Sequence, residues 1–156
     1  MKKAFILFSL TLFLSTFYLT AHAKYDVRAI ERRVNYLAHK MKSSNSAVRL
    51  TAMRKLVKIR HKKAVKPLSK ALNDKSSFVR RMACKALANL KYQDAVKALV
   101  RRLKIEKNHF VKKELIIALG ELKDERGRSA IKRFIKHPSI SLSRAAKKAL
   151  AKLDAK

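Results

Sequence analysis

The sequence predicts an all-α fold, an α-solenoid of about three to four helical hairpins with about eight helices. The main observation is a set of aliphatic columns that recur every 31 or 32 residues along the chain. A stacked array of helix pairs produces such a period, because each repeat places the same apolar positions against its neighbours. Four columns show this spacing: Val48/Val79/Val111/Leu142, Ala52/Ala83/Leu115/Ala146, Leu56/Leu87/Leu119/Leu150 and Ile59/Leu90/Leu122/Leu153.

Two further observations support this fold class. Residues able to cap a helix N-terminus stand three positions before each member of the first column. The chain has only two Gly and two Pro, too few for a sandwich or barrel with many tight turns. The predicted caps are Asn45, Ser76, Asn108 and Ser139.

Residues 1–23 have the pattern of a secretory signal peptide. Lys2 and Lys3 form a short basic start, residues 4–19 are almost wholly apolar, and Ala21-His22-Ala23 is a small-x-small cleavage pattern. The alternative is an uncleaved anchor, but the apolar run is shorter than the roughly 20 residues that span a bilayer. We therefore expect cleavage after Ala23 and an exported protein, periplasmic or secreted, with no transmembrane segment after cleavage.

The repeat organisation follows from the period. A second helix in each repeat is predicted by the columns Val65/Val96, Leu68/Leu99/Ile131 and Leu72/Leu103/Ile135. Running the period backwards reaches Val34, Leu37 and Met41, so the chain is expected to begin with half a repeat. The predicted solenoid over 24–156 comprises an N-terminal capping helix (24–43), repeats at 44–74, 75–105 and 106–137, and a C-terminal half-repeat (138–156).

The segments FVRRMACKAL (78–87) and ALGELKDE (118–125) resemble HEAT repeats, in the short variety found in bilin-lyase-like HEAT proteins. The resemblance covers about residues 44–153. It implies a scaffold or binding surface, and it implies that Arg49, Arg80 and Lys112 support the packing of repeats. The chain departs from the family in having Ser143 where Arg is expected. In the family an acidic residue often precedes the Val-Arg pair. This chain has Asn45, Ser76 and Asn108 at that position instead.

The charge of the chain is strongly positive. Forty Lys and Arg residues against ten Asp and Glu give a net charge of +30, and removal of Lys2 and Lys3 would leave +28. No acidic residue lies between Glu31 and Asp74. Such a charge creates a field that attracts polyanions.

Basic residues are concentrated on the polar side of the predicted second helices. By the HEAT resemblance these helices line the inner face, which implies a basic groove across three repeats, with neighbouring helices about 10 Å apart. Ordinary solvated helix surface is the alternative, because the first helices are basic too, as at Lys55 and Lys148. The candidate anion-binding residues are Lys66, Lys70, Lys97, Arg101, Lys104, Arg133 and Lys136.

No catalytic residue, metal ligand or cofactor site is predicted. The histidines form no His-x-x-x-His pair, and the chain has no phosphate-binding loop and no nucleophile elbow. Cys84 is the only cysteine; it is expected to be a small buried hydrophobe, with an intermolecular disulfide as the alternative. Phe78 and Phe110, beside the motif Val, are expected to pack between repeats.

The resulting hypothesis is an exported, non-catalytic HEAT-repeat binding protein, monomeric, that docks an acidic protein or an envelope polyanion on a basic surface. Anionic lipid, lipopolysaccharide and teichoic acid are the envelope polyanions considered. The alternatives are an accessory subunit of an enzyme, similar to lyase-like HEAT proteins, and a nucleic-acid-binding HEAT protein.

Overall fold

The computed structural model describes residues 27–155, and these residues form an all-α solenoid, as the sequence predicts. The predicted signal peptide lies outside the described residues. Helix α1 covers residues 27–40. The helices that follow are α2 (Ser46–Ile59), α3 (Val65–Ala71), α4 (Ser77–Leu90), α5 (Val96–Ile105), α6 (His109–Glu121), α7 (Arg128–Lys132) and α8 (Ile140–Asp154). None of these helices is long and apolar enough to cross a membrane.

The helices form two layers. The long helices α2, α4, α6 and α8 stack side by side, and α3, α5 and α7 each pack on the long helix that follows in the chain. A single 3₁₀ turn precedes each of these three shorter helices. The helix pairs therefore repeat along one direction, as the 31-residue period requires.

The recurring aliphatic columns form the core between the two layers. Leu56, Leu87 and Leu119 are fully buried, as is Val79. Val48 differs, with 37% of its surface exposed. Helix α4 packs on α2, whereas α2 is itself the first of the four stacked long helices and has no earlier member of that stack beside it. The position of the repeat in the array, and not the residue type, thus decides whether this column is buried.

The predicted helix caps occupy the expected positions, and three of the four bond through their side chains. The Asn45 side chain accepts a hydrogen bond from the Ala47 amide, Ser76 accepts one from Val79, and Asn108 accepts two. Ser139 stands at the N-cap of α8 without a side-chain cap bond.

Two expectations about the repeats need correction. Phe78 and Phe110 do not pack between repeats: they are 50% and 64% exposed, because the neighbouring Val79 and Val111 already occupy the core.

The second helix of the last complete repeat is also shorter than its columns predict. Helix α7 ends at Lys132, and residues 133–136 form turns with hydrogen bonds to the third preceding residue.

Candidate functional site

An open groove lies between α3 and α5, the second helices of two successive repeats. Its volume is about 660 Å³, and its walls carry Lys66 and Lys70 from α3 and Lys97 and Arg101 from α5. The i, i+4 spacing places each pair on one face of its helix. The structure therefore brings four of the seven predicted candidate residues together.

The cationic surface continues from this groove toward α1. A second cleft, of about 650 Å³, lies between α1 and α3, and it too is lined by Lys66 and Lys70. Lys42 adds a further cation to its lining, and Lys63, which is paired with Glu31, lines it as well. Lys66 and Lys70 thus stand on the ridge between two adjoining clefts.

The other three candidates lie outside the α3–α5 groove. Lys104 is exposed near the end of α5 and does not line it. Arg133 is the C-cap of α7, and Lys136 follows in the turns beyond that helix. Because α7 ends early, these two side chains do not continue a regular helical row.

All seven candidates are solvent-exposed. None of them forms a hydrogen bond or an ion pair with another described residue. Asp94 is the only carboxylate among the described residues that lines the α3–α5 groove, and the α1–α3 cleft has only Asp74. Asp74 is bound by Arg49, so it neutralises little of the charge in that cleft.

The lack of partners has a simple cause, because nearly all of the acidic side chains are used elsewhere. Of the ten acidic residues, Asp26 precedes the described part of the chain. Among the others, all but Asp94 are engaged in ion pairs. The engaged carboxylates belong to Glu31, Asp74, Glu106, Glu114, Glu121, Asp124, Glu125 and Asp154.

Two arginines of the repeat motif have a structural role, as the resemblance implied. Arg49 is 5% exposed and binds both carboxylate oxygens of Asp74, at 2.7 and 2.8 Å. Arg80 binds both oxygens of Glu106, at 2.8 and 2.9 Å. These cations are neutralised within the fold and are not available to a ligand.

Sequence reasoning missed the partners of these arginines. Asp74 and Glu106 lie five residues before Val79 and Val111, the first-column residues of the next repeat. The equivalent positions in the other repeats are Ser43 and His137. An acid was instead sought three residues before each first-column residue. Each of the four side chains accepts a hydrogen bond from the backbone amide two residues later. The 31-residue period could have identified these partners, because the polar positions Ser43, Asp74, Glu106 and His137 recur with the same spacing as the aliphatic columns.

Cys84 is fully buried, as predicted, and its thiol donates to the Arg80 carbonyl oxygen at 3.2 Å. Burial raises the pKa of this thiol far above its usual range. Both properties oppose an intermolecular disulfide. Within the described residues, no group of three or more His, Cys, Asp or Glu side chains could hold a metal ion.

Comparison with solved structures shows the same fold in proteins of different activity. Human deoxyhypusine hydroxylase, solved in complex with glycerol, matches with a TM-score of 0.76 at 20% identity, over 83% of this chain and 46% of that chain. The complex of CpcE and CpcF of phycocyanin lyase from Nostoc sp. PCC7120 matches with a TM-score of 0.54 at 20% identity, over 79% and 65%. An engineered protein matches with a TM-score of 0.55 at 24% identity, over 78% and 62%.

The matched hydroxylase and lyase chains both extend beyond the part that this chain covers. The chain spans about half of the hydroxylase and about two thirds of the lyase chain. The sequence-based prediction that the protein is not an enzyme is contradicted, because a hydroxylase has this same arrangement of helices. The prediction rested on expected export and on the absence of a recognisable catalytic motif from the sequence, and the same fold occurs in proteins with different functions.

The family of this chain is identified by comparison of its sequence with family models. No curated protein matches the chain at a significant level. The profile of HEAT repeats, however, matches residues 34–119, which is more than half of the chain. That range runs from the middle of α1 to the end of α6 and includes the whole α3–α5 groove. The chain belongs to the HEAT-repeat family.

Proposed function

We propose that this protein binds an extended polyanion along the groove between α3 and α5. One observation carries the proposal. Lys66, Lys70, Lys97 and Arg101 line a single groove, and none of them is neutralised by another described residue.

The arrangement of charges favours a linear ligand over a small anion. The groove is open, and it adjoins the α1–α3 cleft through the shared Lys66 and Lys70. Lys66 and Lys70 lie one turn apart on α3, and Lys97 and Arg101 lie one turn apart on α5, so the cations form two rows that a repeating anion can follow. A polymer also releases condensed counterions from several sites at once, which a single anion does not.

The chemistry fits an acidic protein segment or an envelope polyanion such as lipopolysaccharide or teichoic acid. Export belongs to the proposal, and the signal-peptide pattern of residues 1–23 supports it. Outside the cytoplasm the protein would meet polyanions of the cell envelope. It would then use the groove to hold one of them.

The proposal is tested by measuring affinity for heparin and for polyglutamate as salt is raised. We expect the dissociation constant for at least one of them to rise about a hundredfold or more between roughly 50 and 200 mM salt, because four or more cations are neutralised on binding. The double variant Lys70→Glu/Arg101→Glu should weaken binding at least tenfold.

A matched control separates the groove from general charge. Lys55→Glu/Lys147→Glu changes the net charge by the same amount on the long helices α2 and α8, away from the groove. It should weaken binding much less than the groove variant. Equal losses in the two variants would mean that charge matters and the groove does not, and affinity indifferent to salt would reject polyanion binding altogether.

A further inference from the structure

We infer that a second surface, the edge formed by the N-termini of α4, α6 and α8, binds an anionic lipid bilayer. This N-terminal edge is defined by three exposed apolar side chains, Phe78, Phe110 and Ile140. The inference goes beyond the groove proposal, because it concerns a different surface and a different partner.

The three apolar side chains are exposed by the register of the helices. They are 50%, 64% and 74% exposed, whereas the adjoining Val79 and Val111 are fully buried. Each lies at the first or second position of a long helix. The core is therefore complete without them. Exposed apolar groups mark an interaction surface when they adjoin along one edge of a domain and are not scattered singly.

The edge is continuous between α6 and α8. The Phe110 ring packs edge-to-face on His109 with centroids 5.9 Å apart, and Nε2 of His109 lies 3.5 Å from Oγ of Ser139. Ile140 directly follows Ser139 in the chain, so this contact links Phe110 to Ile140. Because α4, α6 and α8 stack in order, the three apolar groups extend over about 20 Å.

Cations accompany the apolar groups along this edge. Lys75 and Lys107 are exposed in the turns that precede α4 and α6. The Arg81 guanidinium lies 5.3 Å from the centroid of the Phe78 ring. One turn further along, Lys113 and Arg144 line a cleft of about 650 Å³ that also contains Ile140.

Negative charge is nearly absent from the edge. Residues 75–82, 107–113 and 138–148 contain no Asp or Glu. The carboxylates that precede the first two segments, Asp74 and Glu106, are bound by Arg49 and Arg80. None of the described helices α4, α6 and α8 has an acid in its first turn, so the positive end of each helix dipole adds to the cations.

This composition fits a bilayer better than a protein surface. Lysine is depleted in protein–protein interfaces, whereas Lys75, Lys107 and Lys113 lie close to the apolar side chains of this edge. Membrane-surface proteins combine Phe and Ile side chains, which enter the acyl boundary, with Lys and Arg that contact anionic headgroups. The edge would hold the protein on the membrane.

The chain has no Trp, so a single introduced indole reports directly on insertion. We would mix the full-length variant Phe110→Trp with vesicles of phosphatidylglycerol and phosphatidylcholine, with acyl chains either plain or brominated. Blue-shifted emission and quenching by the brominated chains are expected. Tyr36→Trp is the control: Tyr36 is 61% exposed on α1, away from the edge but closer in sequence to the apolar residues 4–19. Tethering through those residues alone would affect the indole at position 36 more than the one at position 110.

A charge-neutral variant completes the test. Phe110→Ser/Ile140→Ser should weaken binding to the anionic vesicles at least tenfold while leaving heparin affinity and the thermal unfolding midpoint unchanged. The inference is overturned if the Phe110→Trp variant responds no more than Tyr36→Trp, or if binding is equal on pure phosphatidylcholine. It is also overturned if an acidic protein shifts the emission of Phe110→Trp and vesicles do not.

The groove proposal is tested separately. When Lys70→Glu/Arg101→Glu is combined with Phe110→Trp, we expect heparin binding to be lost and the blue shift on vesicles to be retained. If the blue shift is lost as well, the bilayer is held through the groove, and the inference about the N-terminal edge is wrong.

Discussion

Arg80 and Glu106 form a bidentate ion pair that joins two successive repeats. Arg80 lies in α4, and Glu106 follows α5 with a side chain that is 1% exposed. The same carboxylate accepts a hydrogen bond from Arg102 at 2.8 Å and from the backbone amide of Asn108 at 2.8 Å. A single carboxylate therefore fixes α4, the end of α5 and the beginning of α6. Arg49 and Asp74 form the equivalent pair one repeat earlier.

The Glu106 pair predicts that stability falls in acid. Burial by itself would raise the pKa of Glu106, but hydrogen bonds from Arg80, from the Asn108 amide and from Arg102 outweigh it and lower the pKa to about 2, from 4.5. The net contribution of the ionised Glu106 carboxylate with all of these partners, about 3 kcal/mol, is complete well above pH 4.5, where the unfolded chain is also ionised. It is lost as the pH falls from about 4.5 to about 2.

Denaturant unfolding of Glu106→Gln at several pH values measures this contribution. The variant should be less stable near neutral pH, and the difference from wild type should shrink as the solution is acidified. Glu31→Gln removes a half-exposed pair with Lys63 and should produce no resolvable change. A difference between wild type and Glu106→Gln that is independent of pH would refute the assignment.

The unequal caps of α6 and α8 predict unequal mutational effects. The Asn108 side chain accepts from the amides of Phe110 and Val111, at 3.0 and 3.2 Å, whereas Ser139 has no such bond. Asn108→Ala should cost about 1 kcal/mol in unfolding free energy. Ser139→Ala should change it by much less. Thermal or urea unfolding of the two variants measures both changes. Equal losses of unfolding free energy would mean that the cap bonds do not contribute to stability.

The close approach of α6 and α8 at Gly120 predicts an unusual sign for a helix substitution. Alanine normally favours a helix over glycine by about 1 kcal/mol. A Cβ at Gly120, however, would lie 2.7 Å from the Ala149 Cα atom, so the two helices would have to separate. Gly120→Ala should therefore destabilise the fold by about 1–3 kcal/mol, measured by urea unfolding.

Gly127→Ala is the matched control for this substitution. There the nearest atom is the flexible end of the Leu119 side chain, at 3.3 Å, which can move aside at little cost. We expect a clearly smaller loss of unfolding free energy than for Gly120→Ala. A stabilised Gly120→Ala variant would show that α6 and α8 are farther apart than described.

The solenoid could be predicted from the sequence because its core is a local, periodic pattern. Leu87 and Leu119 occupy equivalent positions in successive repeats, so the period alone identifies both as buried. The prediction failed where position in the array decides, as at Val48. It also failed where a neighbour had already filled the core, as at Phe78 and Phe110.

The candidate groove was only partly predictable. Helical spacing placed Lys66 and Lys70 on one face and Lys97 and Arg101 on another. It did not reveal that α7 ends at Lys132, because the turns that follow involve a local ring contact and a hydrogen bond from the next helix, α8. The Phe134 ring stacks on His137, and the Ser143 hydroxyl donates to the Ile135 carbonyl oxygen.

Amine footprinting tests the central claim, polyanion binding in the α3–α5 groove, most directly. Exposed lysines are acetylated with and without saturating heparin, and each site is quantified by mass spectrometry. We predict that Lys66, Lys70 and Lys97 are protected by heparin while Lys55 and Lys147 react as before. Protection of Lys55 and Lys147 with unchanged labelling of the three groove lysines would contradict the assignment.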